Sequence, residues 1–135
     1  MPATLTLEEN GRILHYVLED PVNVAEIRIV EQQANNLYEN TPCKLHTLMD
    51  LGEVHSLPSG IFQFRGTKGL SHPNAGETVV LVASIYVQAI GETFVKLSRN
   101  SHIHFFRPQE SEQAWEYLRH IIATEQASLT EYEPT

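Results

Sequence analysis

The stretch DLGEVHSLPSG, residues 50–60, sets Asp50, His55 and Ser59 close together along the chain. An acid, an imidazole and a hydroxyl are the residue types of nucleophilic catalysis: a base takes the hydroxyl proton and an acid orients the base. Here the spacing crowds all three onto one turn with no oxyanion device in view, so that reading rests on residue type alone. Two simpler uses suit a serine at a helix start. Its oxygen can cap the unpaired backbone N–H groups, and Pro58 just ahead pre-sets the φ of a helix opening. The same N–H groups and the positive end of the helix dipole suit a phosphate, which would add close to two negative charges. The cap is the expected role of Ser59 (or Ser56), and phosphorylation the second. Asp50 is expected to accept backbone N–H groups within its own turn.

The histidines are the other residues with chemical scope, seven in all. His102 and His104 share one face of a strand, because alternation points i and i+2 the same way. His15 and His46 fall on other expected strands and would join them only if the registers align. Zinc needs three or four convergent ligands, and neither HExxH nor CxxC spacing occurs. The expectation is therefore a half-exposed sheet face or pairing with carboxylates, with no metal and no cofactor. No GxSxG elbow, GxxxxGK[ST] loop or GxGxxG turn is present either. Cys43 is the only cysteine, beside Pro42 ahead of an apolar strand, and reads as a small packed residue. His72, in SHPN, reads as part of a structural loop.

Composition narrows the classes. At 135 residues, 41% hydrophobic and 19% charged, the chain fits one soluble globular domain with a proper core. A net charge of −8 repels phosphate backbones, which argues against nucleic acid as a partner. No apolar run is long enough to span a bilayer, and the opening MPATLTLEENGR lacks the basic and apolar stretches of a secretory leader. A cytoplasmic location is expected.

Several elements must position these residues. Two alternating runs around EENG predict a hairpin over 4–8 and 12–19, with Asn10-Gly11 supplying positive φ. Asn23 with Glu26 predicts a capped helix to about Asn40, its core face built from Val24, Ile27, Val30, Ala34 and Leu37. KLHTLMDL (44–51), ETVVLVAS (77–84) and SHIHFFR (101–107) read as strands; the unbroken Val79–Ala83 run suggests burial on both faces. A short or irregular helix is expected in the glycine-bearing stretch 58–70. Ser84 predicts a cap for a helix over 85–98, with Gly91 allowing close approach to the sheet. A last helix is expected from Ser111 to about Gln126, with a frayed tail over 127–135. The order β-β-α-β-α-β-α-β-α predicts an α/β fold: a five-stranded, mostly parallel sheet with an N-terminal antiparallel hairpin and about four helices.

In such sheets ligands commonly sit at the C-terminal ends of parallel strands. Asp50, His55, Ser59, Ser84, Tyr86 and Arg107 are expected at that rim, a mixed polar set suited to a small anionic molecule or head group. Ile61, Phe62 and Phe64 would leave apolar side chains seeking a pocket or an oligomer interface, so a homodimer is one expectation.

The element order, the strand ending in LMDL, the SHPNAGETVVLVAS segment and the closing HIHFFRPQESEQAWEYL together resemble the STAS superfamily over about residues 4–122. The resemblance is to its SpoIIAA-like bacterial branch, related to lipid-carrying CRAL-TRIO domains. In anti-sigma antagonists of this superfamily the matching stretch reads D-L-S-x-V, an apolar residue, then D-S-[ST]-G. Asp50, Leu51, Val54 and Leu57 fit it; Pro58 replaces the aspartate, Ser59 takes the serine position and Gly60 comes one residue early. The resemblance implies a non-enzymatic regulatory or interaction module that meets a protein partner near residues 55–65, with Ser59 as its phosphorylation candidate. The lipid-carrying relatives imply the alternative of a carrier or sensor for a small apolar-anionic ligand.

Overall fold

The computed structural model describes residues 3–57, 73–98 and 102–132. Its elements are β1 (Ala3–Glu8), β2 (Ile13–Glu19), α1 (Val24–Glu39), β3 (Leu45–Glu53), β4 (Ala75–Val82), α2 (Ile85–Ser98), β5 (Ile103–Phe106), a 3-10 turn (Pro108–Glu110) and α3 (Ser111–Tyr132). The chain is α/β, with one mixed sheet in the order β1-β2-β3-β4-β5. β1 pairs antiparallel with β2, and the remaining neighbours pair parallel.

Local chemistry accounts for the element ends. The hairpin turns through Glu9, Asn10 and Gly11, all at positive φ, so the left-handed stretch begins one residue before the expected Asn-Gly pair. Asn23 caps α1 by accepting the Ala25 N–H at 2.7 Å. Of Glu26, the expected second half of the cap, Oε2 is buried without a hydrogen-bond partner. Ser84 caps α2 as expected, its Oγ accepting the Val87 N–H at 3.2 Å. Pro108 ends β5, and Glu110 reaches back to accept the Arg107 N–H at 2.8 Å, closing the turn that starts α3.

Three α-helices and one 3-10 turn stand among the described residues, against about four helices expected; the short helix expected over 58–70 lies outside them. α3 also runs through Tyr132, past the expected end near Gln126. No glycine or proline interrupts 111–132, so nothing local stops it there.

Two apolar clusters hold the layers together. On one face, Leu14, Tyr16, Leu18, Leu45, Val80 and Val82 of the sheet pack with Val30, Ala34 and Tyr38 of α1 and Val87 of α2. On the other, Ile13, Leu48, Val79 and Leu81 pack with Ala114, Leu118 and Ile122 of α3. Strand order rising in sequence with right-handed crossovers puts connecting helices on one face, which leaves the second face to α3. β4 is buried on both sides from Thr78 to Val82, as its unbroken apolar run requires. Gly91 lets α2 close onto β5: a Cβ there would meet the Phe105 ring at 3.0 Å. Among the described residues no helix is long and apolar enough to cross a membrane.

Candidate functional site

Five of the six expected rim residues, Asp50, His55, Ser84, Tyr86 and Arg107, lie at or just past the C-terminal ends of β3, β4 and β5; Ser59, and the apolar candidate Phe62, lie outside the described residues. Asp50, His55, Ser84 and Arg107 each have a local partner. Asp50 accepts the Gly52 N–H at 2.9 Å, the local backbone contact expected of it, but both residues lie within β3, which runs on to Glu53, and not in a turn after it. A Cβ at Gly52 would lie 3.1 Å from Asp50 Oδ1 and 3.5 Å from Pro108 Cγ, so this carboxylate sits near the start of α3. Ser84 is spent on the α2 cap. Arg107 donates through Nη1 to the Ala83 carbonyl at 3.2 Å, tying the end of β5 to the end of β4.

His55 faces Asp20 and not Asp50. Its backbone N–H and its Nδ1 both lie 3.0 Å from Asp20 Oδ2, joining the end of β2 to the end of β3. The backbone N–H of His55 holds the Asp20 carboxyl below its ordinary range, with the His55 ring adding to the effect. Asp20 was missed in the sequence because it is far from His55 along the chain and reads as an ordinary residue before Pro21.

The rim is also divided between faces. Asp50 shares its side of β3 with Leu48, under α3, whereas Ser84 and Tyr86 open α2 on the opposite face. A crevice between strand ends needs a reversal of strand order, and β1 to β5 run without one. What the rim does present is apolar: Ile85 is 76% exposed and Tyr86 61% exposed, adjacent at the first turn of α2. Ile85 is not among the residues singled out from the sequence.

Four of the histidines, His15, His46, His102 and His104, lie toward the other end of the sheet, on the α3 side. His46, 2% exposed, accepts the Glu77 N–H on Nδ1 at 2.9 Å. That bond leaves the neutral ring's proton on Nε2, which donates to Glu125 at 2.5 Å; Arg12 holds the second Glu125 oxygen at 3.0 Å. Glu77 offers one oxygen to His102 Nδ1 at 3.3 Å and the other to His104 Nε2 at 3.1 Å. Tyr117 lies 3.2 Å from that same His104 nitrogen, and burial followed by the Glu77 charge pushes its hydroxyl pKa up. His15 meets Glu8 at 2.5 Å and stands edge-on to Trp115 at 5.1 Å. These side chains therefore pair with carboxylates, the alternative to metal ligation expected from the sequence. Among the described residues no group of three His, Cys, Asp or Glu is placed to hold a metal ion.

Chemically, the lower cluster pins α3 to the sheet: His46 is enclosed and its partners are engaged. The rim offers apolar contact beside short polar ties. In comparison with known proteins, no family model matches the chain, and no curated protein or solved structure is significantly similar to it.

Proposed function

We propose that this chain is a non-enzymatic interaction module of STAS-like type, meeting a protein partner at the rim where α2 begins. The observation that carries the reading is the adjacent exposure of Ile85 and Tyr86 there. At the same rim, Ser84 is taken up by the Val87 N–H, and Arg107 ties the end of β5 to the Ala83 carbonyl just ahead of α2. A firm polar frame around exposed large side chains is the make-up of a binding surface, in which aromatic residues supply contact area at low entropic cost. Ser59, the phosphorylation candidate that the resemblance implies, lies outside the described residues, and its control over this surface is part of the proposal.

The test compares the tagged wild-type chain with an I85D/Y86D variant in capture from the native cell extract. Both positions are exposed, so circular dichroism of the variant should match the wild type. A partner retained by the wild type and lost by the variant supports the reading; identical partner sets contradict it. Ser59→Ala and Ser59→Asp then address regulation, which requires that they differ in affinity for that partner. Native mass spectrometry of the purified chain with a constant added small mass would favour the carrier reading instead.

A further inference from the structure

The two edges of the sheet are built differently. β5 is four residues long, is stopped by Pro108 and carries the Glu77-bound His104. Short length, proline and polar side chains are the devices that keep an edge from pairing. β1 has six residues, ATLTLE, with no proline, lysine, arginine or register break against β2. Its one charge, Glu8, is at the end and already engaged by His15. Leu7 on this strand is 45% exposed, and Ile29 of α1, the helix packed over Ala3 and Leu5, is 50% exposed.

We propose that β1 is the docking edge for a second copy of this chain, added antiparallel about a two-fold axis so that the two sheets become one. The axis stands normal to the sheet, which keeps like faces together and admits only pairs on the same face. Centred on Leu5, that register sets Leu5 against Leu5 of the second copy, Thr4 against its Thr6, and Ala3 against its Leu7. Every pair is uncharged, and the exposed Leu7 gains an aliphatic neighbour. Glu8 falls beyond Ala3 of the second copy. A parallel arrangement would instead stack Glu8 and Glu9 on their own copies, which like-charge repulsion disfavours. No ion pair crosses this edge, while each copy carries a net charge of −8, so dimerisation strengthens as salt rises. This edge is separate from the α2 rim, and the inference stands without the function proposed there.

Sedimentation velocity on the full chain tests it, with 15.3 kDa as the mass of one copy. The wild type is expected at twice that mass, with the dimer share rising between low and high salt. Thr4 and Thr6 are both exposed, so T4K/T6K and T4K/T6E retain the monomer fold by circular dichroism. T4K/T6K places lysines opposite one another and is expected at the mass of one copy. T4K/T6E sets lysine opposite glutamate in the Leu5-centred register and is expected to restore the dimer. A monomeric wild type across the salt range, a T4K/T6K dimer as strong as wild type, or a T4K/T6E variant that stays monomeric overturns the proposal.

Discussion

Replacing Gly76 with alanine should destabilise the chain far more than one methyl group suggests. Gly76, the second residue of β4, lies against the imidazole of His46, and a Cβ built there would overlap the ring at Nδ1 and Cε1. Its φ lies outside the left-handed region, so the cost comes from contact alone. The ring has nowhere to go. It is 2% exposed and held at both nitrogens, and moving it strands the Glu77 N–H that it accepts at 2.9 Å. A buried donor left without a partner costs about 1–3 kcal/mol. The bond from Nε2 to Glu125 is lost too, but that carboxylate is 32% exposed and rehydrates, which limits its share to about 1 kcal/mol. The total is about 2–4 kcal/mol, or a melting temperature lower by roughly 8–16 °C for a chain of this length. Thermal and urea unfolding followed by circular dichroism measure it. Gly52→Ala is the control, because its Cβ meets only the Asp50 oxygen at 3.1 Å and the Pro108 side chain at 3.5 Å; less than about 1 kcal/mol is expected. In a His46→Ala background the Gly76→Ala change should cost nothing further. A Gly76→Ala melt within about 2 °C of wild type, or an equal loss in both backgrounds, would refute the overlap account.

Gly91→Ala sets a gain of about 1 kcal/mol in helix propensity against the Phe105 ring at 3.0 Å; a near-neutral change is expected, becoming stabilising once Phe105→Leu makes room. Asp20 has its folded pKa lowered from 3.8, so its stabilising effect is present above that value and lost as pH falls through the lower one. Urea midpoints of wild type and Asp20→Ala should therefore differ near neutral pH and converge in acid below 3.8; a gap that persists there contradicts the assignment. Glu31 is the opposite case: burial raises its carboxyl above 4.5, so the ionised form costs stability once pH passes that value. Glu31→Gln should raise the midpoint near neutral pH, and the advantage should vanish as the solution is acidified through 4.5.

What the sequence reveals follows the range of the interactions involved. Alternation in ILHYVLE and the apolar run TVVLV locate β2 and β4 because strand burial is written into neighbouring residues. Ser84 and Asn23 mark their helices because a cap is a contact over two or three residues. Tyr38, at 1% exposure, is harder to anticipate, since its burial depends on where α1 lies against the sheet. Longer partnerships are invisible from sequence: His46 and Glu125 are 79 residues apart, and their meeting depends on α3 folding back under β3. The shift in pairing between Leu45 and Thr47, where His46 meets Glu77, likewise appears only once strands are in register. The rim shows the same limit from the other side. Asp50, Ser84 and Arg107 have the residue types of a binding crevice, yet element ends need acceptors and donors, and these side chains supply them. Tyr86 was legible as a rim residue, and its neighbour Ile85 was not, because falling off the buried stripe of a helix marks a side chain as outward-facing but not as part of a contact surface.

A photo-crosslinking residue placed at Tyr86 in the native cell, beside one placed at the exposed Glu116 on α3, tests the docking surface most directly. The account predicts a discrete adduct with one protein from position 86 and none from position 116. No adduct from position 86, or the same adduct from both, would contradict it.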